Sequence, residues 1–269
     1  MRRMRWVIQA TLVLCMLGCG GSDAPSAESP ARSDRVVSLS PALTATMLRL
    51  GWSGRMAGRT PWCEGVSEVP VIGSLTEVDL ERLARIDPSV ILVQRTSLGL
   101  PPGLERAASE RGWRVEQIPC ETLADVRALP EAVGEALSER PELEAWNAAW
   151  TGALTVVPEL GPRGRAVLLL PDASPRACGA DAYLGQVWSA WGGTVCPASP
   201  GWPSMQLEDV VACDPDRVVV LGAASPAWIA SLERHGMTVE RNEDPRLLRP
   251  GPDLLEAVLA WRARMTGSP

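Results

Sequence analysis

The chain has no Phe, no Lys, one Tyr and one His in 269 residues. A lone His, His235, excludes a Cys/His zinc site and a His-rich metal centre, which need several such ligands. The missing Lys accompanies abundant Arg, Ala, Gly and Pro, a bias of GC-rich coding rather than a functional signal. There is no GxSxG elbow, no Walker loop and no GxGxxG after a strand, so the motif-borne hydrolase and nucleotide-binding readings have no support. A basic surplus is also absent. The net charge is −6, and because residues 1–18 hold three Arg and no acid, the remainder carries −9. Nucleic-acid binding requires a basic footprint and is excluded.

Long apolar runs are scarce too. The one near the start, Trp6 to Leu17, follows Arg2, Arg3 and Arg5 and precedes small residues, which is a signal-peptide layout too short to span a bilayer. Its end, "MLGC", resembles a bacterial lipobox with Cys19 as the lipidated residue; the alternative is an ordinary secreted protein cut near Gly20 or Gly21. Residues 19–34 are Gly/Ser/Pro/Asp-rich and read as a flexible tether. The expected organisation is therefore a leader over 1–18, the tether, and a folded body that is exported and anchored at a membrane surface.

Within the body the order of patterns is regular. "RVVSLSP" is a short β-branched run in which Ser40 can cap, and Pro41 open, a helix that ends at Gly51. "RAVLLLP" repeats that opening at Arg165, followed by a helix near Ala182 to Trp191. Each half then contains a Leu-Glu helix, an Asp-Pro break and a buried-type strand. Leu80-Glu81 matches Leu207-Glu208, and Asp87-Pro88 matches Asp214-Pro215, at a constant offset of 127. Another Leu-Glu-Arg helix and a strand ("GWRVEQI", "GMTVERN") close each half. Strands alternating with helices at this spacing predict parallel sheets. The expected fold class is α/β: two Rossmann-like lobes, residues 35–128 and 164–269, joined through 129–163 by one long helix. That helix places Leu143, Trp146, Trp150, Leu154 and Val157 on one face, between Pro141 and Pro158, and the two Trp are expected to pack rather than to bind.

The body holds five Cys, an odd number. Export permits disulfides. Cys63 and Cys120 sit just beyond strand-like segments of the first lobe, and Cys178 and Cys196 bracket one helix of the second. One or both pairs are expected to bond, leaving Cys213 as a buried apolar thiol.

Taken together, these segments resemble the class III solute-binding proteins of ABC importers, with the vitamin B12-binding group the nearest likeness. "RVVSLSPALTATMLRLG" resembles the family's opening segment, with Ala45 where Glu is usual. "AGRTPWCEG" resembles its second loop, "VDLERLARIDPSVIL" and "WPSMQLEDVVACDPDRVVV" its two Leu-Glu helices, and "RPGPDLLEAV" its last helix, with Asp253 where Arg is common. The resemblance covers nearly all of the body. It implies a binding protein rather than an enzyme, with no intrinsic cofactor and no resident metal, that captures a cobalt corrinoid between two lobes and delivers it to a permease dimer with its ATPase. It further implies a monomer. Ligand contacts are expected from Ser40, Pro41, Thr60, Trp62, Leu75, Trp202, Pro203 and Asp244, with Trp62 and Trp202 as stacking faces and Leu75 standing where another cleft Trp is usual. Glu81 and Glu208 are expected to dock onto permease Arg residues, one per lobe; the plainer reading is that each complements its helix dipole, worth ~0.3–1 kcal/mol. Alternative ligands are haem or a ferric siderophore. Alternative roles are a corrinoid-binding lipoprotein without a permease, or a cleft enzyme acting on a tetrapyrrole-like cofactor, for which Glu64 and Glu77 are the available bases.

Overall fold

The computed structural model describes residues 35–156, 164–170 and 175–266. The leader, the tether, Cys19, Val157 and Pro158 lie outside the described residues. Among the described residues no helix is long and apolar enough to cross a membrane.

The first sheet has the order β2-β1-β3-β4, from β1 (Val36–Ser38), β2 (Met56–Gly58), β3 (Val90–Gln94) and β4 (Arg114–Ile118), and every pairing is parallel. The second is built on β5 (Arg165–Leu170), β8 (Arg217–Leu221) and β9 (Val239–Asn242), again parallel. Two-residue strands β6 (Arg176–Ala177) and β7 (Thr194–Val195) both pair with β5, β6 antiparallel and β7 parallel. The helices are α1 (Pro41–Arg49), α2 (Leu80–Ile86), α3 (Leu104–Arg111), α4 (Leu123–Ala136), α5 (Glu144–Leu154), α6 (Tyr183–Ala190), α7 (Leu207–Ala212), α8 (Pro226–Arg234) and α9 (Pro252–Thr266).

The repeated motif repeats in backbone conformation. α2 and α7 start 127 residues apart, as do β3 and β8. Between them Asp87 and Asp214 both take the left-handed region, at φ 49° and 45°. Asp tolerates this conformation better than most residues, and the following Pro prevents the helix from continuing. The first strand of each half is tied to this break in the same way, because the Arg35 and Arg165 carbonyls accept from the Ser89 and Asp216 amides at 2.9 Å.

Both sheets are covered on both faces, which is why their strands read as continuous apolar runs. Alternate residues serve different layers. Val90 and Leu92 face the same core as Leu168 and Val219, whereas Ile91 and Val93 pack under α2 and α3, and Val218 and Val220 pack with Val210 of α7 and Ile229 and Leu232 of α8. The inner core is shared by the two halves. It joins Leu43 and Met47 of α1, Leu129 and Val133 of α4, Leu184 and Trp188 of α6, and Leu254, Val258 and Trp261 of α9.

Two features differ from expectation. The helical connection contains α5, as the spacing of Leu143 to Leu154 predicts, but also α4, which packs against α1 and α6 and so lies between the halves. A Pro inside α4, Pro130, masks that helix in the sequence. Trp146 and Trp150 are buried, edge to face at 5.9 Å, and are packing residues as expected.

The disulfide is Cys196–Cys213, with Cα atoms 6.1 Å apart, and this corrects the expected Cys63–Cys120 and Cys178–Cys196 pairs. Cys178 faces the inner core under α6, while Cys196 and Cys213 belong to the layer on the opposite face of the second sheet. Bracketing a helix in sequence did not place the two thiols on one side of the sheet. Cys63, Cys120 and Cys178 are free and buried. Thiol titration of residues 35–269, denatured without reductant, is expected to count these three groups, rising to five after reduction; five before reduction would overturn the pairing.

Candidate functional site

In parallel α/β sheets, ligands bind outside the carboxyl ends of the strands. Here those ends carry the loops at Leu39–Pro41, Arg59–Val69 and Gln94–Leu98, and each contributes to a cleft between the halves.

The loop after β2 is the most organised of these. Arg59 fills it from within: Nε donates to the Val69 carbonyl at 2.8 Å, and the two terminal nitrogens donate to Thr60 and Ser67 carbonyls at 3.1 and 3.2 Å. Its tip is pinned by Cys63, whose buried Sγ accepts from Thr44 Oγ1 at 3.0 Å and lies 3.2 Å from Thr60 Oγ1. With Thr60 and Cys63 held inward on either side of Pro61 and Trp62, Trp62 is turned out and is 63% exposed. An indole that large and that exposed is unusual for a residue with a packing role only.

Trp62 stands between two cavities. One, of about 200 Å³, is lined by Leu39, Pro41, Thr60, Ser74, Leu75 and Thr76. The other, of about 270 Å³, runs between the α1 residues Pro41, Ala45 and Leu48 and the segment Arg249–Asp253 at the start of α9, so both halves contribute to it. Across its mouth Arg249 Nη1 and Glu64 Oε1 are paired at 3.0 Å. Trp202 lies at a third cavity of about 400 Å³, with Ser97, Glu121, Thr122 and Asp181, where its ring meets Tyr183 edge-on at 5.6 Å.

The structure therefore gathers Pro41, Thr60, Trp62 and Leu75 at one place and leaves other expected contacts elsewhere. Trp62 and Trp202 line separate cavities rather than one shared wall, because the Trp202 ring turns onto Tyr183. Ser40 is buried, and its hydroxyl donates to Gln94 Oε1 at 3.0 Å instead of capping α1. Pro203 serves through its carbonyl, which accepts from Ala177 N at 2.9 Å. Asp244 caps a short turn and holds Arg246 at 2.8 Å; those hydrogen bonds keep its carboxyl below the usual range. Sequence reasoning did not include Arg59 or Arg249 among the site residues. The run "RPGPD", which begins at Arg249, was a usable signal, since a Gly flanked by two Pro marks an ordered turn.

Glu81 and Glu208 are both exposed in the first turns of α2 and α7, at opposite halves. The first-turn amides are already served by other groups. Asp79 accepts from Arg82 N at 2.8 Å, and α7 has a capping box made by Gln206 and Asp209. Neither Glu is in an ion pair among the described residues. Glu77, in the loop before α2, and Glu64 are both exposed, so neither has the buried setting of a tuned general base.

No family model and no curated relative matches the chain. Solved structures do. The periplasmic vitamin B12-binding protein of Vibrio cholerae matches with a TM-score of 0.64 at 17% identity, covering 87% of this chain and 96% of its own. The periplasmic haem-binding protein of the same organism matches at 0.69 and 16%, covering 87% and 99%. A periplasmic haem-binding protein from Pseudomonas aeruginosa matches at 0.65 and 20%, covering 87% and 93%. The chain has the class III solute-binding fold.

Cys120 and Cys178 are not reactive groups of the site. Burial pushes Cys120 up to about 12, reinforced by Asp125 and Glu121. Burial likewise pushes Cys178 up to about 12, against the lowering effect of hydrogen bonds from Gly185 and Leu184 amides. Both folded values exceed the ordinary 9.0, so the stabilisation is complete below pH 9 and is lost as pH rises toward 12, where only the unfolded chain ionises freely. Each thiol is expected to cost about 1.4 kcal/mol per pH unit in that window. Urea midpoints at pH 8 and pH 10 check this, and a Cys120→Ala, Cys178→Ala protein should show a smaller fall.

Proposed function

We propose that the chain is the solute-binding component of an ABC importer and takes a corrinoid, an amide-edged macrocycle. The observation that carries this reading is Trp62, a pinned and exposed indole between two apolar cavities on the inner wall of an interlobe cleft. Flat ligands of this size need a stacking face and a few polar groups at the edge. The charges lining the groove cancel, Arg49 and Arg249 against Glu64 and Asp253, which suits a ligand without a strong net charge.

Haem is the second reading, because two of the neighbours bind it. Haem iron is held by His, Tyr, Cys or Met. The sole Tyr is buried with its hydroxyl donating to the Leu247 carbonyl, and the sole His caps the C-terminal end of α8 with Nδ1 2.8 Å from the Ser231 carbonyl. The free Cys are buried and no Met lines a cavity beside Trp62. These placements favour the corrinoid.

On this proposal the protein is a monomer without catalytic activity. It is exported by its leader, anchored through Cys19, and meets a permease dimer with its ATPase through Glu81 and Glu208. Small hinge motions accompany binding, since α4 and a shared core join the halves.

Fluorescence titration with cobalamin, cobinamide, haem and a ferric siderophore tests the ligand. Cobalamin or cobinamide should quench at micromolar concentration, and Trp62→Ala should weaken that binding by ~1–3 kcal/mol, the scale of a stacked aromatic anchor. Failure of both corrinoids to quench sinks the ligand assignment.

The docking role has its own test. A Glu81→Ala, Glu208→Ala protein should bind ligand normally and fail in uptake, because each truncation leaves a partner cation unpaired at a cost of ~2–5 kcal/mol. Charge reversal to Arg should be worse. Normal uptake by the reversed protein returns both residues to a helix-end role.

A further inference from the structure

We infer that Glu64 is a specificity-determining residue, which admits macrocycles edged with carboxamides and rejects those edged with carboxylates. The inference rests on the corrinoid reading and refines it. Glu64 lies two residues beyond Trp62 on the same pinned loop and lines the same groove, so a flat macrocycle stacked on the indole brings its periphery to this carboxylate. Opposite stands Arg249 from the other half, at 3.0 Å, over a groove walled by Pro41, Ala45, Leu48 and Pro250, with Arg49 and Asp253 also on its lining.

A facing carboxylate and guanidinium offer acceptors on one side and donors on the other. A primary carboxamide complements both, its NH2 donating to Glu64 and its carbonyl accepting from Arg249. A carboxylate complements Arg249 alone and is repelled by Glu64. The existing pair is held weakly, because the Glu64 side chain is 74% exposed and that of Arg249 37%. An arriving amide can therefore open it and give each partner a hydrogen bond in place of the one lost. The two residues come from opposite halves, so the discrimination operates only when the cleft holds both at the ligand.

The experiment compares cobinamide with cobyrinic acid, the same corrin ring with its peripheral amides as carboxylates, by fluorescence titration of the wild-type protein and of Glu64→Gln and Arg249→Gln. Wild type should prefer cobinamide. Glu64→Gln keeps the acceptor and removes the charge, so cobyrinic acid should gain about tenfold in affinity, the scale of one charge-assisted contact, while cobinamide stays at its wild-type level. Arg249→Gln leaves the Glu64 charge uncompensated and should widen the preference for cobinamide. If wild type binds cobinamide and the Glu64→Gln protein shows the same ratio of affinities, the role of Glu64 is refuted while the corrinoid reading stands. Binding of neither corrinoid by wild type overturns both.

Discussion

One apolar layer, shared by two sheets, governs this structure. The inner faces of β1, β3, β5 and β8 do not each close a separate core; they pack against α1, α4, α6 and α9, which touch one another. Trp188, Trp191 and Trp261 lie within 5.2–6.5 Å of each other in this layer, and the Trp191 indole donates to the Ala153 carbonyl at the end of α5. Opening the halves widely would expose the apolar faces that α1 and α4 present to α9 and α6. The cost limits the motion available to the cleft.

That restriction has a functional counterpart. A cleft that stays near one geometry binds by a preformed surface rather than by enclosing its ligand, and preformed sites spend less of their binding energy on ordering. The loop bearing Trp62 fits this picture. Arg59 replaces solvent as the partner of three carbonyls, and Cys63 anchors the tip to α1, so the indole is displayed by a rigid support. The interlobe backbone bond from Tyr183 N to the Glu121 carbonyl at 3.0 Å and the bond from Leu123 N to Gln186 Oε1 at 2.7 Å hold the opposite end of the cleft. The two ends differ accordingly: the α1 end is apolar with an exposed ion pair, and the Trp202 end is polar and tied by main-chain hydrogen bonds.

Much of the architecture was legible because it is written in local chemistry. The Leu-Glu helices, the Asp-Pro breaks and the β-branched runs act over a few residues, and the offset of 127 reappears in helix starts, strand starts and the two left-handed Asp. Pro41 opened its helix as expected, yet the Ser40 hydroxyl turned to Gln94, a partner 54 residues away that capping rules do not consider. α4 was obscured by its own Pro130, which local rules read as a break and which tertiary packing against α1 and α6 tolerates. Of the candidate site, Pro41, Thr60, Trp62 and Leu75 were found together, whereas Trp202 was drawn away by Tyr183 and Asp244 was consumed by Arg246.

The sequence by itself determined the alternation of strands and helices, the doubling of the plan and the presence of a loop that displays Trp62, since backbone preference and side-chain size decide these within a turn or a strand. Only the tertiary structure decided which cysteines meet, which indoles share a cavity, and that Glu64 faces Arg249 across 185 residues of chain. Those outcomes depend on which face of a sheet a residue occupies and which distant loop lies opposite. Neither quantity is carried by neighbours in sequence; both are set when the helices of the shared core settle against one another.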